Sequence, residues 1–259
     1  MIMKFFLCIF LFTTILGHGK NAEKKNSETI WRTLLTEHAN CVTWVSATVR
    51  VEVSVGGRSL PPQEQKLEAL GTIIADDGLT VLSLTKVDPT SNIISRLRSP
   101  GASVQVHYTE VLILMQDGSE IPARLLLKDM DLDLAFLLPI TETEKNSEKF
   151  TFSATPGWNR AKNPPTTDIL NEVVPIRNLG RNRHRQSTLR RGWVNAVIEK
   201  PRPYFVIENT EPGTPVFDHR GRWLGVVVYK MDSGRPTAVV TLPIEDIMEI
   251  AEQVRSRNQ

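Results

Sequence analysis

The chain has 259 residues and a mass of 29.1 kDa, which is room for one large domain or two small ones. It is 41% hydrophobic and 23% charged, the values of an ordinary globular protein, and this excludes a collagen-like, mucin-like or wholly disordered chain. Two cysteines, Cys8 and Cys41, are too few for a disulfide scaffold or for most zinc sites; no apolar run reaches the roughly 20 residues of a spanning helix; and a net charge of +2 points to no strongly polyanionic partner for the chain as a whole.

Residues 1–22 read as a secretory signal: Lys4 is the positive flank, Phe5 to Leu16 the apolar core, and Gly17, Gly19 and Ala22 the small residues that follow. Cleavage near Ala22 removes Lys4, Lys20 and Cys8, so the mature chain is neutral and cannot form an internal disulfide. Residues 23–43 hold a polar tether and a helix from Ser27 to about Ala39, with Ile30, Trp31, Leu34, Leu35 and His38 at helical spacing. His38 reads as a packed helix-face residue.

From Ser46 to Val55 the period changes to two, with apolar residues at every odd position from Ala47 to Val55. Short strands follow at Leu70–Ala75 and Leu79–Leu84, joined by Asp77-Gly78, a strong hairpin signal. Further strands are predicted at Val104–His107, Val111–Met115, Ile121–Leu127 and Leu134–Leu138, with no helix between them. Residues 44–140 therefore read as a first β-barrel. Residues 141–170 are polar and rich in Pro, Asn, Lys and Glu, a surface linker.

Residues 171–259 repeat the pattern, with strands at Glu172–Ile176, Gly192–Ile198, Tyr204–Ile207, Pro215–Phe217, Arg222–Tyr229 and Thr237–Leu242. A terminal helix starts after Pro243 and buries Ile244, Ile247, Met248, Ala251 and Val254. The expected fold class is all-β: two six- to seven-stranded antiparallel barrels with an N-terminal and a C-terminal helix.

Three segments carry a resemblance. The first is Leu70-Gly71 with Asp77-Gly78, leading to Ser83-Leu84-Thr85-Lys86-Val87. The second is Asp117-Gly118, Pro122-Ala123 and Asp133-Leu134-Ala135. The third is Glu211-Pro212-Gly213-Thr214-Pro215, then Gly221 to Val226. In order and spacing these resemble the trypsin-like serine proteases of the HtrA type over roughly residues 40–254. The resemblance implies a trypsin-like double barrel, with Asp133 at the position of the carboxylate that orients the catalytic imidazole. It places Lys86, or Thr85 if the register moves by one, at the imidazole. It places Pro212 at the nucleophile; the alternative alignment leaves a gap there. No PDZ module is recognisable after residue 254.

Hydrolysis by such a site needs a hydroxyl nucleophile, an imidazole base and a carboxylate. Proline has no attacking atom, and a lysine ammonium cannot accept a proton. No intact catalytic set is expected, and the resemblance implies an exported, periplasmic or extracellular pseudo-protease that binds peptide, protein or envelope polymer. A signal-anchored chain is the variant of this localisation. The alternative is an active serine endopeptidase with a non-standard triad. A Lys86 that stands in for the imidazole would pair with Asp133.

The segment from Arg177 to Arg202 carries eight basic residues opposed only by Glu199. Arg181, Arg183, Arg185, Arg190 and Arg191 are candidates to hold an anionic envelope component, and the simpler reading is a solvated loop. Nucleic acid is not expected, because no aromatics are interleaved as stacking platforms. No cofactor is expected. Asp129, Asp131 and Asp133 alternate with apolar residues and lead into a strand, without the oxygen count or Gly turn of a calcium loop, so metal binding is not expected either.

Overall fold

The computed structural model describes residues 28–97, 101–140, 150–156 and 165–257. The expected signal, the start of the tether and two stretches of the linker (141–149 and 157–164) lie outside the described residues.

Residues 28–38 form helix α1, closed by a short 3-10 turn at Ala39–Cys41. Leu34 is buried beneath it, and His38 stacks on Phe217 with ring centroids 5.1 Å apart. The imidazole packs as the helical spacing implied, and its burial holds it below the ordinary histidine value.

The first unit contains β1 (Val42–Val55), β2 (Arg58–Ser59), β3 (Gln63–Ile73), β4 (Thr80–Ser83), β5 (Ser103–Leu114), β6 (Glu120–Asp129) and β7 (Leu134–Pro139). Their order is β2-β1-β3-β4-β7-β6-β5, and β1 also pairs with β5, so six strands close into an antiparallel barrel. Closure leaves no long free edge. The Asp77-Gly78 turn joins β3 to β4 as expected: Gly78 has φ +84, and a side chain there would meet Pro139 and Phe152.

Val104–His107 and Val111–Met115, expected as two strands, are one, β5, and two further features depart from expectation. The polar run Gln63–Glu68 is the outer half of β3, paired with β1 from Val51↔Gln63 onwards. Only Gln65 and Leu67 are half-buried there and Leu67 alone is apolar, so the sequence shows no apolar alternation. The expectation of no helix between the strands also fails. After Ser83 the chain turns through α2 (Leu84–Val87) and α3 (Thr90–Leu97) before β5. The signal was present: Asp88 accepts hydrogen bonds from the Thr90 N–H and Oγ1, an Asx turn at the helix entry ahead of apolar Ile93, Ile94 and Leu97.

The second unit contains β8 (Glu172–Asn178), a 3-10 turn at Arg181–Arg183, β9 (Ser187–Leu189), β10 (Gly192–Ile198), β11 (Tyr204–Ile207), β12 (Pro215–Asp218), β13 (Trp223–Asp232), β14 (Arg235–Pro243) and helix α4 (Ile244–Arg257). The order is β10-β11-β14-β13-β12-β8-β9, and Gly192↔Val173 and Trp193↔Glu172 bring β10 against β8 to close this ring too.

The packing explains the unbroken apolar strands. Along β7, Ala135 and Leu137 point into the first barrel, while Leu134 and Phe136 join a core shared with the second barrel and both terminal helices. On β13, Val227 faces the second barrel's interior, while Val226 and Val228 face that shared core. A strand buried on both faces loses its period-two pattern. Helix α4 buries Ile244, Ile247, Met248, Ala251 and Val254, the face its spacing predicted; Glu245 and Asp246 in its first turn and Arg255 and Arg257 in its last complement the helix dipole.

Candidate functional site

Asp133 sits at the end of a tight turn. Asp129 Oδ1 accepts from the N–H groups of Asp131 and Leu132, and this turn delivers Asp133 at φ +56, 1% exposed, to the seam between the barrels. The acidic triplet therefore shapes a turn into a buried strand: Asp129 is spent on the backbone and Asp131 is exposed.

Four donors converge on the Asp133 carboxylate. Oδ1 accepts from the Thr85 N–H at 2.7 Å and from Thr85 Oγ1 at 2.6 Å. Oδ2 accepts from Ser83 Oγ at 2.5 Å and from the Tyr229 N–H at 2.8 Å. Burial pushes the carboxyl above its ordinary value, and these hydrogen bonds oppose but do not cancel that shift. None of the four donors is a cation. The pairing with Lys86 that would follow from an imidazole-like placement is not formed, because the side chain that reaches the carboxylate is that of the preceding residue, Thr85.

Lys86 instead lines an open groove of about 520 Å³ with Thr85, Asn92, Tyr229 and the β14 residues Pro236 to Val239. One wall comes from the α2–α3 segment of the first barrel and the other from the β13–β14 hairpin of the second. Asp133 itself borders a separate cleft of about 10 Å³, with Thr85, Ser91, Met130 and Met231.

Pro212 lies on the turn that leads into β12. It is buried and lines neither cavity. Its neighbours are pinned to both barrels: the Gly213 N–H donates to Val227 O at 2.8 Å, the Val227 N–H donates to Thr214 O at 2.9 Å, and Thr72 Oγ1 donates to Gly213 O at 2.9 Å. Gly213 has φ +93, and a Cβ there would fall 1.9 Å from Leu70 O, so only glycine fits.

β13 relates these pieces. In an extended strand, residues i and i+2 point their amides to the same edge. Val227 therefore meets the 213–214 turn on the same edge on which Tyr229, roughly 7 Å further along, meets Asp133. Past Val226 no strand pairs on this edge among the described residues; β14 occupies the other. The structure thus puts Thr85 and Lys86 in the groove, sets Asp133 beside them at a separate small cleft that Thr85 also borders, and holds the Pro212 turn on the same strand edge, outside both. Ser83 and the Tyr229 amide had no signal in the sequence, because they approach Asp133 from 50 and 96 residues away.

The basic segment divides. Arg181, Arg183 and Arg185 lie in the β8–β9 loop, where His184 and Arg185 adopt φ +54 and +50. Arg190 and Arg191 lie between β9 and β10, at the opposite end of β8, roughly 17 Å away. Three of its charges are paired: Arg177 with Glu211, Arg191 with Glu172, and Arg202 with Asp246. The positive charge is thus dispersed over the second barrel.

No family model matches the chain, and no curated protein matches it.

Proposed function

We propose that the chain is an HtrA-type, trypsin-like pseudo-protease that binds an extended peptide or protein segment in the groove between its barrels. The observation that carries this reading is the Asp133 carboxylate, whose acceptor sites are filled by two hydroxyls and two backbone amides. A base relay needs an imidazole there, and Thr85 supplies none. At the other triad position Pro212 is buried and has neither a hydroxyl nor an N–H. The reading includes export of the chain.

What remains of a substrate cleft supports binding. The Tyr229 carbonyl points to the same edge of β13 as its own N–H and has no backbone partner there among the described residues. An extended segment adding to that edge would gain main-chain hydrogen bonds, with side chains resting on Lys86, Asn92 and Thr237.

The test is treatment of the purified chain with a serine-reactive phosphonate probe, with casein turnover as a second readout and photocrosslinking of an extended-peptide library as a third. The expected result is no labelling, no turnover, and crosslinks at Lys86 and β13. Labelling that disappears on a single Ser→Ala or Thr→Ala change would establish the active endopeptidase instead.

A further inference from the structure

On the face of the second barrel where α1 begins, the structure exposes a cluster of large apolar side chains. Leu170 is 74% exposed, Ile169 52%, Trp193 47% and Ile30 37%; these are half of the markedly exposed large hydrophobics among the described residues. Backbone bonds hold the Ile169–Leu170 tip against the strand that carries Trp193: the Leu170 N–H donates to Val194 O at 2.8 Å, and the Val194 N–H donates to Asn171 O at 3.0 Å. The Arg191 guanidinium lies over both indoles, 5.5 Å from the Trp31 ring and 5.3 Å from the Trp193 ring, and ties α1 to β10.

The apolar tip is held rigidly. Asp168 accepts from the N–H groups of Ile169 and Asn171, closing a tight turn. Leu170 at its apex has φ +66, a conformation that a leucine adopts only at a cost. An asparagine or glycine would satisfy that backbone better, so packing and local propensity do not account for a leucine pointed into water.

We propose that this face docks on a lipid bilayer surface bearing anionic headgroups, with Ile169, Leu170 and Trp193 entering the interfacial layer. Three features select a membrane over a protein. Tryptophan and arginine side by side, around an aliphatic tip, suit the headgroup boundary, where an indole is half apolar and a guanidinium meets phosphate. Arg191 is paired with Glu172 and Asp168 flanks the tip, so the added positive charge rests on exposed Arg32, next to Trp31, and exposed Arg190, next to Arg191. The chain also enters the fold at this face: eleven residues separate Leu16, the end of the apolar run Phe5–Leu16, from Glu28, a span of at most roughly 40 Å. A chain held at a bilayer by that run would keep this face within reach of the lipid.

The experiment uses the full chain and vesicles of phosphatidylcholine with one third phosphatidylglycerol. Trp193 emission is taken as the difference between wild type and Trp193→Phe. The expected result is a blue shift and quenching of that emission by lipids brominated in the acyl chain, with weaker binding to pure phosphatidylcholine. Leu170→Asn, which suits the backbone at φ +66, should lower vesicle partitioning roughly tenfold while the protein stays folded. Ile169→Gln is the second variant should Leu170→Asn fail to fold. Binding that leaves Trp193 unquenched and ignores both substitutions would show that residues 1–27 act alone, and would overturn the proposal. Equal binding to both lipids would overturn the anionic assignment. A Trp193 shift that depends on protein concentration without vesicles, and is abolished by Leu170→Asn, would make the face a protein contact and overturn it as well.

Discussion

The Tyr229 amide donates to Asp133 Oδ2 at 2.8 Å, joining the second barrel to the first across 96 residues of sequence. The same carboxylate holds Ser83 and Thr85 at the end of β4, so one side chain fixes the first barrel's α2 turn and the second barrel's β13 edge together. Asp133 acts as a clamp between the barrels.

Removing the clamp should be costly. Asp133→Ala strands the Tyr229 and Thr85 amides and two hydroxyls, and each buried unsatisfied donor costs about 1–3 kcal/mol. Part of that is returned because a buried carboxylate no longer has to be desolvated. The expected net loss is about 2–4 kcal/mol in urea denaturation. A loss below about 0.5 kcal/mol would show that the barrels are held by the apolar core alone.

Two buried carboxylates should respond to pH with opposite signs. Burial lifts Asp133 above its ordinary value of 3.8, so its contribution to stability is fully present below that pH and is lost as the pH rises through the folded-state value. Burial also pushes Asp88 upward, but the Thr90 hydrogen bonds and the Lys128 ammonium at 3.1 Å outweigh it and leave Asp88 below 3.8. Its contribution is present above 3.8 and is lost as the pH falls through its folded-state value. Thermal melts across the acid range check this. The advantage of wild type over Asp133→Asn should shrink as pH rises, and its advantage over Asp88→Asn should grow.

Gly213→Ala should be among the most damaging single substitutions. The added carbon meets Leu70 O at 1.9 Å, and φ +93 disfavours any side chain. Backbone faces backbone, so neither side can yield cheaply, and the expected loss is about 4 kcal/mol or more. Soluble yield and melting temperature are the readouts; a variant within 1 °C of wild type would contradict the packing of this turn.

Asn178 forms a second polar tie. Its Nδ2 donates to Val42 O at 2.6 Å, and its Oδ1 accepts from Ser187 Oγ at 2.9 Å. Asn178→Ala should cost about 2 kcal/mol. Combined with Asp133→Ala, the losses should add to within about 0.5 kcal/mol if the two ties are independent, and a double-mutant cycle measures this.

The barrels were legible where one physical signal dominated. β10 and β11 fall where their apolar residues sit between turn signals, and the buried face of α4 follows from its 3.6-residue spacing. The outer half of β3 was not legible, because between Gln63 and Glu68 only Leu67 offers an apolar side chain to the core. In the site, Asp133 could be singled out from the order of short motifs. Its partners could not, since hydroxyls at Ser83 and Thr85 and a backbone amide at Tyr229 are common groups made specific only by the closure of two rings. The basic run is one stretch in sequence and two places in the fold: β9 intervenes, and Glu211, Glu172 and Asp246 pair with three of its charges.

The edge of β13 sets a limit on any guest. Asp133 occupies the Tyr229 amide, and the strand ends at Asp232. Only a short ledge is left between those two points, so an incoming chain could lay down no more than two or three residues before running out of backbone to pair with. Asp133 would act as a doorstop that sets where the guest begins. Selectivity would then rest on the few side chains nearest that stop, and length would count for little.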